Sequence, residues 1–128
     1  MQNNFDSLFS FEQLKVWKEA RMLTKTVYQF TLRLPDYEKF ALGNQIRRAM
    51  ISVTSNIAEG SARFSYKEKV HFIEISYGSL AEVYNQLVVA SDLDYFPIEE
   101  VEAIKPSFEF VAKLLRGLKY SFAEKINN

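Results

Sequence analysis

Gln45-Ile46-Arg47-Arg48-Ala49-Met50-Ile51-Ser52-Val53-Thr54-Ser55-Asn56-Ile57-Ala58-Glu59-Gly60 is the stretch that decides the fold. Ile46, Met50, Val53 and Ile57 recur at spacings of 4, 3 and 4, which is one side of an α-helix. Gln45, Ser52, Asn56 and Glu59 fall on another side, with Arg48 at its border. Gly60 stands where a left-handed residue would end the helix, a conformation glycine adopts without a Cβ clash. The segment therefore reads as a helix with an apolar stripe, a separate polar stripe and a stop.

The same rhythm runs outward in both directions. Val16, Ala20, Leu23, Val27, Phe30 and Leu34 predict a helix over about 11–33. Ser10 and Gln13 form a capping box before it, flanked by Phe9 and Leu14 as a hydrophobic staple, and 1–9 read as a polar arm. Pro35 breaks the helix and Asp36 caps a second one, over 37–59, that carries Phe40 and the opening stripe. Ser65 with Glu68 makes another capping box and starts a third helix, 66–92. Pro97 suits the first turn of a fourth, 98–124, which Pro106 should kink or break near Ile104–Lys105 before a frayed tail.

The third helix is apolar over a wide arc. Val70, Ile73, Tyr77, Leu80, Tyr84 and Leu87 make one stripe, and Phe72, Ile75, Val83 and Ala90 another beside it. Such a helix is either central in its fold or covered by a second subunit. Gly78-Ser79 in its middle removes bulk and lets a neighbour approach. Short connections make consecutive helices antiparallel, so the chain is read as an all-α, up-down-up-down four-helix bundle in one domain.

Composition narrows the function classes. Basic and acidic residues balance at 16 each, with a net of +3 over residues 1–64 and −3 over residues 65–128. Zero net charge argues against tight non-specific nucleic-acid binding, which is driven by counterion release. With no cysteine there is no thiolate metal site, disulfide or thiol redox chemistry. The first ten residues lack the pattern of a signal peptide, and no window is apolar enough to span a membrane. A cytoplasmic protein is expected.

Candidate sites each have a plainer reading. Glu68-x-x-His71 has the spacing of a di-iron ligand pair, but such a site needs two of these motifs and two further glutamates. His71 is the only histidine, so no metal site, catalytic triad or cofactor is expected. The stripe of Gln45, Arg48, Ser52, Asn56 and Glu59 is either a solvated face or one in which Arg48 and Glu59, with or without Glu82, form a buried or interfacial network. Lys15, Lys18, Arg21, Lys25, Arg47 and Arg48 could face phosphates, with Trp17 as a stacking surface. The alternative is an ordinary soluble face interleaved with Glu12 and Glu19.

Leu14-Lys15-Val16-Trp17 with Ala20, then Gln45-Ile46-Arg47-Arg48-Ala49 and Ser52, then Asn56-Ile57-Ala58-Glu59-Gly60 with Arg63, lead on to Glu68, Phe72, Gly78-Ser79-Leu80 and Glu82. This set resembles the small bacterial four-helix-bundle proteins first recognised in intervening sequences of 23S ribosomal RNA genes. The resemblance covers nearly the whole chain. It implies a left-handed antiparallel bundle that assembles into a ring, a homopentamer, with no enzymatic activity. It also implies a shared task for Arg48, Asn56, Glu59 and Glu82, holding subunits or helices in register. The accessory variability determinant proteins of diversity-generating retroelements look like relatives; those are basic pentameric barrels that bind nucleic acid and a reverse transcriptase. This chain departs from them in its zero net charge. A nucleic-acid-binding accessory protein is therefore the alternative function, and a metal- or small-molecule-dependent enzyme the weakest.

Overall fold

The computed structural model describes residues 8–126, and among these it contains helices and turns but no strand. Most of the expected arm over 1–9 and the last two residues of the expected frayed tail lie outside the described residues. Four long helices carry the fold: α1 (Lys15–Leu32), α3 (Leu42–Ala62), α4 (Tyr66–Asp92) and α5 (Ile98–Ala123). A single turn, α2 (Asp36–Lys39), precedes α3, and a 3-10 turn (Ser10–Gln13) precedes α1. The all-α class and the third helix, with its expected bounds, are as the sequence predicts.

The long helices touch in a cycle: α3 packs on α1 and α4, α4 on α3 and α5, and α5 on α1. Residue numbers rise on one helix as they fall on its neighbour. Ser52 meets Ser79 and Gly60 lies against Phe72. Tyr84 meets Phe108 and Glu74 meets Lys119. Arg33 meets Glu100, and Lys15 lies over Phe110. The apolar stripes fill the space between. Val16, Ala20, Leu23, Val27 and Phe30 of α1 are buried with Ile46, Met50, Val53 and Ile57 of α3, and with Ile73, Leu80, Val83 and Leu87 of α4. Val101, Phe108, Val111 and Leu115 of α5 complete the core. Each fully buried aliphatic side chain contributes roughly 1.5–3 kcal/mol before chain entropy is counted.

Several local expectations are corrected. Ser10 makes no capping hydrogen bond; 3-10 bonds such as Leu14 N–H to the Phe11 carbonyl hold that segment, and α1 starts at Lys15. Asp36 does not cap: Pro35 occupies the cap position, and Asp36 is the first helical residue. The second helix is not continuous over 37–59 but breaks at Phe40–Ala41, leaving Phe40 83% exposed. Long-range contacts fix that break. Arg47 donates to the Lys39 carbonyl at 2.6 Å, and the Tyr95 hydroxyl donates to Glu38 Oε2 at 2.6 Å.

Gly60 does not end its helix, which runs two residues further, and no described glycine has a positive φ. The left-handed stop belongs to Asp94, at φ 66° after α4. There Tyr95 N–H bonds the Ala90 carbonyl and Asp94 N–H bonds that of Ser91, the paired bonds of a Schellman motif. Pro106 does not break α5, which is continuous through it. The residue is exposed, and so is Glu102, whose carbonyl would have been its helical acceptor. Water can satisfy that carbonyl.

Candidate functional site

The polar stripe of α3 lies along the seam with α4. Ser52 Oγ sits 2.8 Å from Ser79 Oγ. Asn56 Nδ2 donates to the Ser52 carbonyl at 2.8 Å and to Ser52 Oγ at 2.9 Å. Deeper in the same seam, Ser76 Oγ donates to the Val53 carbonyl at 2.8 Å, fully buried. The Ser52–Ser79 and Ser76–Val53 bonds cross the seam and fix the register of the two helices, each contributing about 1 kcal/mol net, while Asn56 holds the Ser52 hydroxyl from within α3.

Further along, Gly60 lies close against α4. A Cβ there would stand 3.1 Å from Phe72 Cβ and 3.3 Å from the Lys69 carbonyl. Ile57 fills the core beneath. Glu59 pairs with Arg63 at 2.9 Å, one turn on, and the Arg63 guanidinium stacks 4.6 Å from the Phe72 ring. Lys69 Nζ donates to the Ser61 carbonyl at 2.8 Å, satisfying one of the acceptors left at the end of α3. Burial between the Tyr66 and Phe122 rings lowers its pKa from the ordinary 10.5.

The structure separates the expected network rather than closing it. Asn56 is bound to Ser52, and Glu59 to Arg63. Glu82 accepts from Gln86 Nε2 at 3.2 Å. Arg48 is exposed and makes no hydrogen bond or ion pair with the described residues. Gln86 is buried, yet its Oε1 has no partner among them.

Of the basic set, Lys18, Arg21 and Lys25 are exposed on α1. Arg21 lies 5.3 Å over the Trp17 ring, which also packs edge-on against Phe11. Lys15 lies over Phe110, and Arg47 is committed to the Lys39 carbonyl and Asn44 Oδ1. His71 packs edge-on against Phe72, and no three metal-ligating side chains come together among the described residues.

Sequence reasoning missed Ser76 and Lys69, and read Ser79 as a small residue admitting a neighbour without its bond to Ser52. A signal for Ser76 was present, since it falls between Ile73 and Leu80 on the apolar stripe, where a hydroxyl must find a carbonyl.

The sequence model of the 23S rRNA-intervening sequence proteins matches residues 12–117, from the turn before α1 to the last quarter of α5. The chain belongs to that family. The match takes in the whole α3–α4 seam, so the register residues described above lie within the matched span. No match was found among curated proteins. Among the described residues, no helix is long and apolar enough to cross a membrane.

Proposed function

We propose that this member of the family is a non-enzymatic assembly protein of the cytoplasm. In this reading the chain forms a left-handed, antiparallel, up-down-up-down four-helix bundle, and its copies join in a homopentameric ring. The observation that supports it most is the unfinished outer edge of the α3–α4 seam. Among the described residues the exposed Arg48 makes no hydrogen bond or ion pair, and Glu82 bonds Gln86 but no cation. Beside them Ile75 and Val89 of α4 remain exposed. A second copy laid on this edge gives Arg48 and Glu82 ionic partners and covers the apolar side chains. Arg48, Asn56, Glu59 and Glu82 then hold helices and subunits in register, and removing one member of a pair buried in the ring costs about 3–5 kcal/mol. Native mass spectrometry tests this: a defined multiple of the 14.9 kDa chain, five copies, is expected. A lone 14.9 kDa species at micromolar concentration would refute it.

A second reading has one observation in its favour. Lys18, Arg21 and Lys25 are all exposed on α1 at spacings that share a face, which suits the backbone of structured RNA or DNA. Against it stands the zero net charge. Binding of this kind should fall steeply with salt and on charge reversal at those three positions.

A further inference from the structure

Because α1 and α4 each pack chiefly on α3 and α5, they occupy opposite corners of the molecule, and their outward faces point away from each other. Their outward faces carry opposite charge. On α1 the outward positions by helical spacing are Lys18, Arg21, Met22, Lys25, Gln29 and Leu32, three cations with no carboxylate. Met22 and Leu32 are 62% and 72% exposed there. On α4, from Phe72 to Asp92, there is no lysine or arginine. Its outward face holds Glu74, Glu82 and Asp92, with Ile75 and Val89 at 37% and 40% exposed. Glu74 is balanced by Lys119 of α5 at 2.8 Å; among the described residues Glu82 and Asp92 form no ion pair, although Asp92 lines one cavity with Arg33, which is itself held by Glu100.

The relief of the two faces matches as well. Gly78 and Ala81 lie centrally on the α4 face, and a Cβ built on Gly78 would meet nothing within 4 Å. A glycine inside a helix costs up to about 1 kcal/mol relative to alanine, and nothing in its own chain uses the space. Along the axes, Lys18 to Lys25 spans about 10 Å and Glu82 to Asp92 about 15 Å at 1.5 Å per residue, a difference that long lysine side chains can bridge.

Resting on the assembly reading above, we propose that the α1 face of one copy docks on the α4 face of the next. The contact is head-to-tail: each copy gives a basic, apolar-tipped helix and receives one on a low-relief acidic helix. Head-to-tail contacts of this kind build rings when their rotation closes. Met22 and Leu32 favour a protein surface as the occupant of the α1 face, because phosphates would leave both in water.

Charge exchange tests the docking. The unmodified chain, Lys18→Glu/Lys25→Glu, Glu82→Lys/Asp92→Lys and the chain carrying all four changes are compared by sedimentation velocity, with circular dichroism to verify helicity. The unmodified chain assembles; each two-site variant is expected to fall apart, with association weakened tenfold or more. The four-site chain, whose faces have exchanged sign, is expected to reassemble; an equal mixture of the two-site variants is expected to associate with each other but not to close a ring of five, which cannot alternate two kinds of subunit. If both two-site variants stay assembled like the unmodified chain, the docking is overturned while the ring stands. The same holds if Lys18→Glu/Lys25→Glu stays assembled but loses binding to an RNA hairpin, which returns the α1 face to nucleic acid. If the unmodified chain is itself a monomer, the assembly reading fails and this contact with it.

Discussion

Two glycines of similar appearance in the sequence lie in opposite environments. Gly60, in the α3–α4 seam, is buried, and a methyl group there would stand 3.1 Å from Phe72 Cβ and 3.3 Å from the Lys69 carbonyl, inside ordinary contact distance. Gly78, on the outer face of α4, is exposed, with open space where its side chain would be. The first is explained by the chain alone, since the helices could not pack so closely with any larger residue. The second has no use within the chain. The difference separates a finished contact from an unfinished one, and it locates the unfinished one on α4.

The contrast can be broken most sharply at Gly60. Alanine gains up to about 1 kcal/mol of helix propensity there but presses on two atoms fixed by the α4 backbone, an overpacking cost of about 1–3 kcal/mol. Gly60→Ala should therefore destabilise the chain by about 1–2 kcal/mol in urea denaturation. Gly78→Ala, measured at concentrations low enough to keep the chain apart, should do the reverse and stabilise by up to about 1 kcal/mol. If both changes have the same sign, the distinction between the two environments is wrong.

Asp94 offers a smaller comparison. It holds the left-handed position that Gly60 does not, at the expense of a side chain beside its carbonyl. Asp94→Gly should raise the midpoint of thermal unfolding, by an effect of a few tenths to about 1 kcal/mol.

The smallest effect belongs to the exposed pair at the α1–α5 contact. Arg33 holds the Glu100 carboxylate in two hydrogen bonds of 2.9 and 2.7 Å, and so keeps its pKa below the ordinary 4.5. The stabilisation from this pair is complete above 4.5 and disappears as pH falls through the lower folded value. Glu100→Gln should flatten that part of the acid stability curve and leave neutral pH little changed.

Much of this was legible because it depended on local periodicity. The stripe Ile46, Met50, Val53, Ile57 is buried as its spacing requires, and Ser65 Oγ accepts the Glu68 N–H as the capping motif predicts. What escaped depended on partners distant in sequence. The break before α3 is fixed by Tyr95 and Arg47, neither of which can be placed beside Glu38 or Lys39 from spacing alone. Gly60 read as a stop because glycine suits both a left-handed turn and a close helix contact, and only the position of Phe72 distinguishes them. The polar stripe was visible as a face, but its register depends on which residues of α4 lie opposite, namely Ser76 and Ser79. Arg48 and Glu82 do not bond each other in the chain, and the sequence offered no way to know it.

The covering of the α4 face by another copy can be measured directly, because the chain has no cysteine of its own. Ala81→Cys places one thiol on that face with almost no change in volume. Its rate of maleimide labelling should be slow at micromolar protein and rise toward that of a free thiol on dilution, as copies separate. Fast labelling at every concentration would contradict the account.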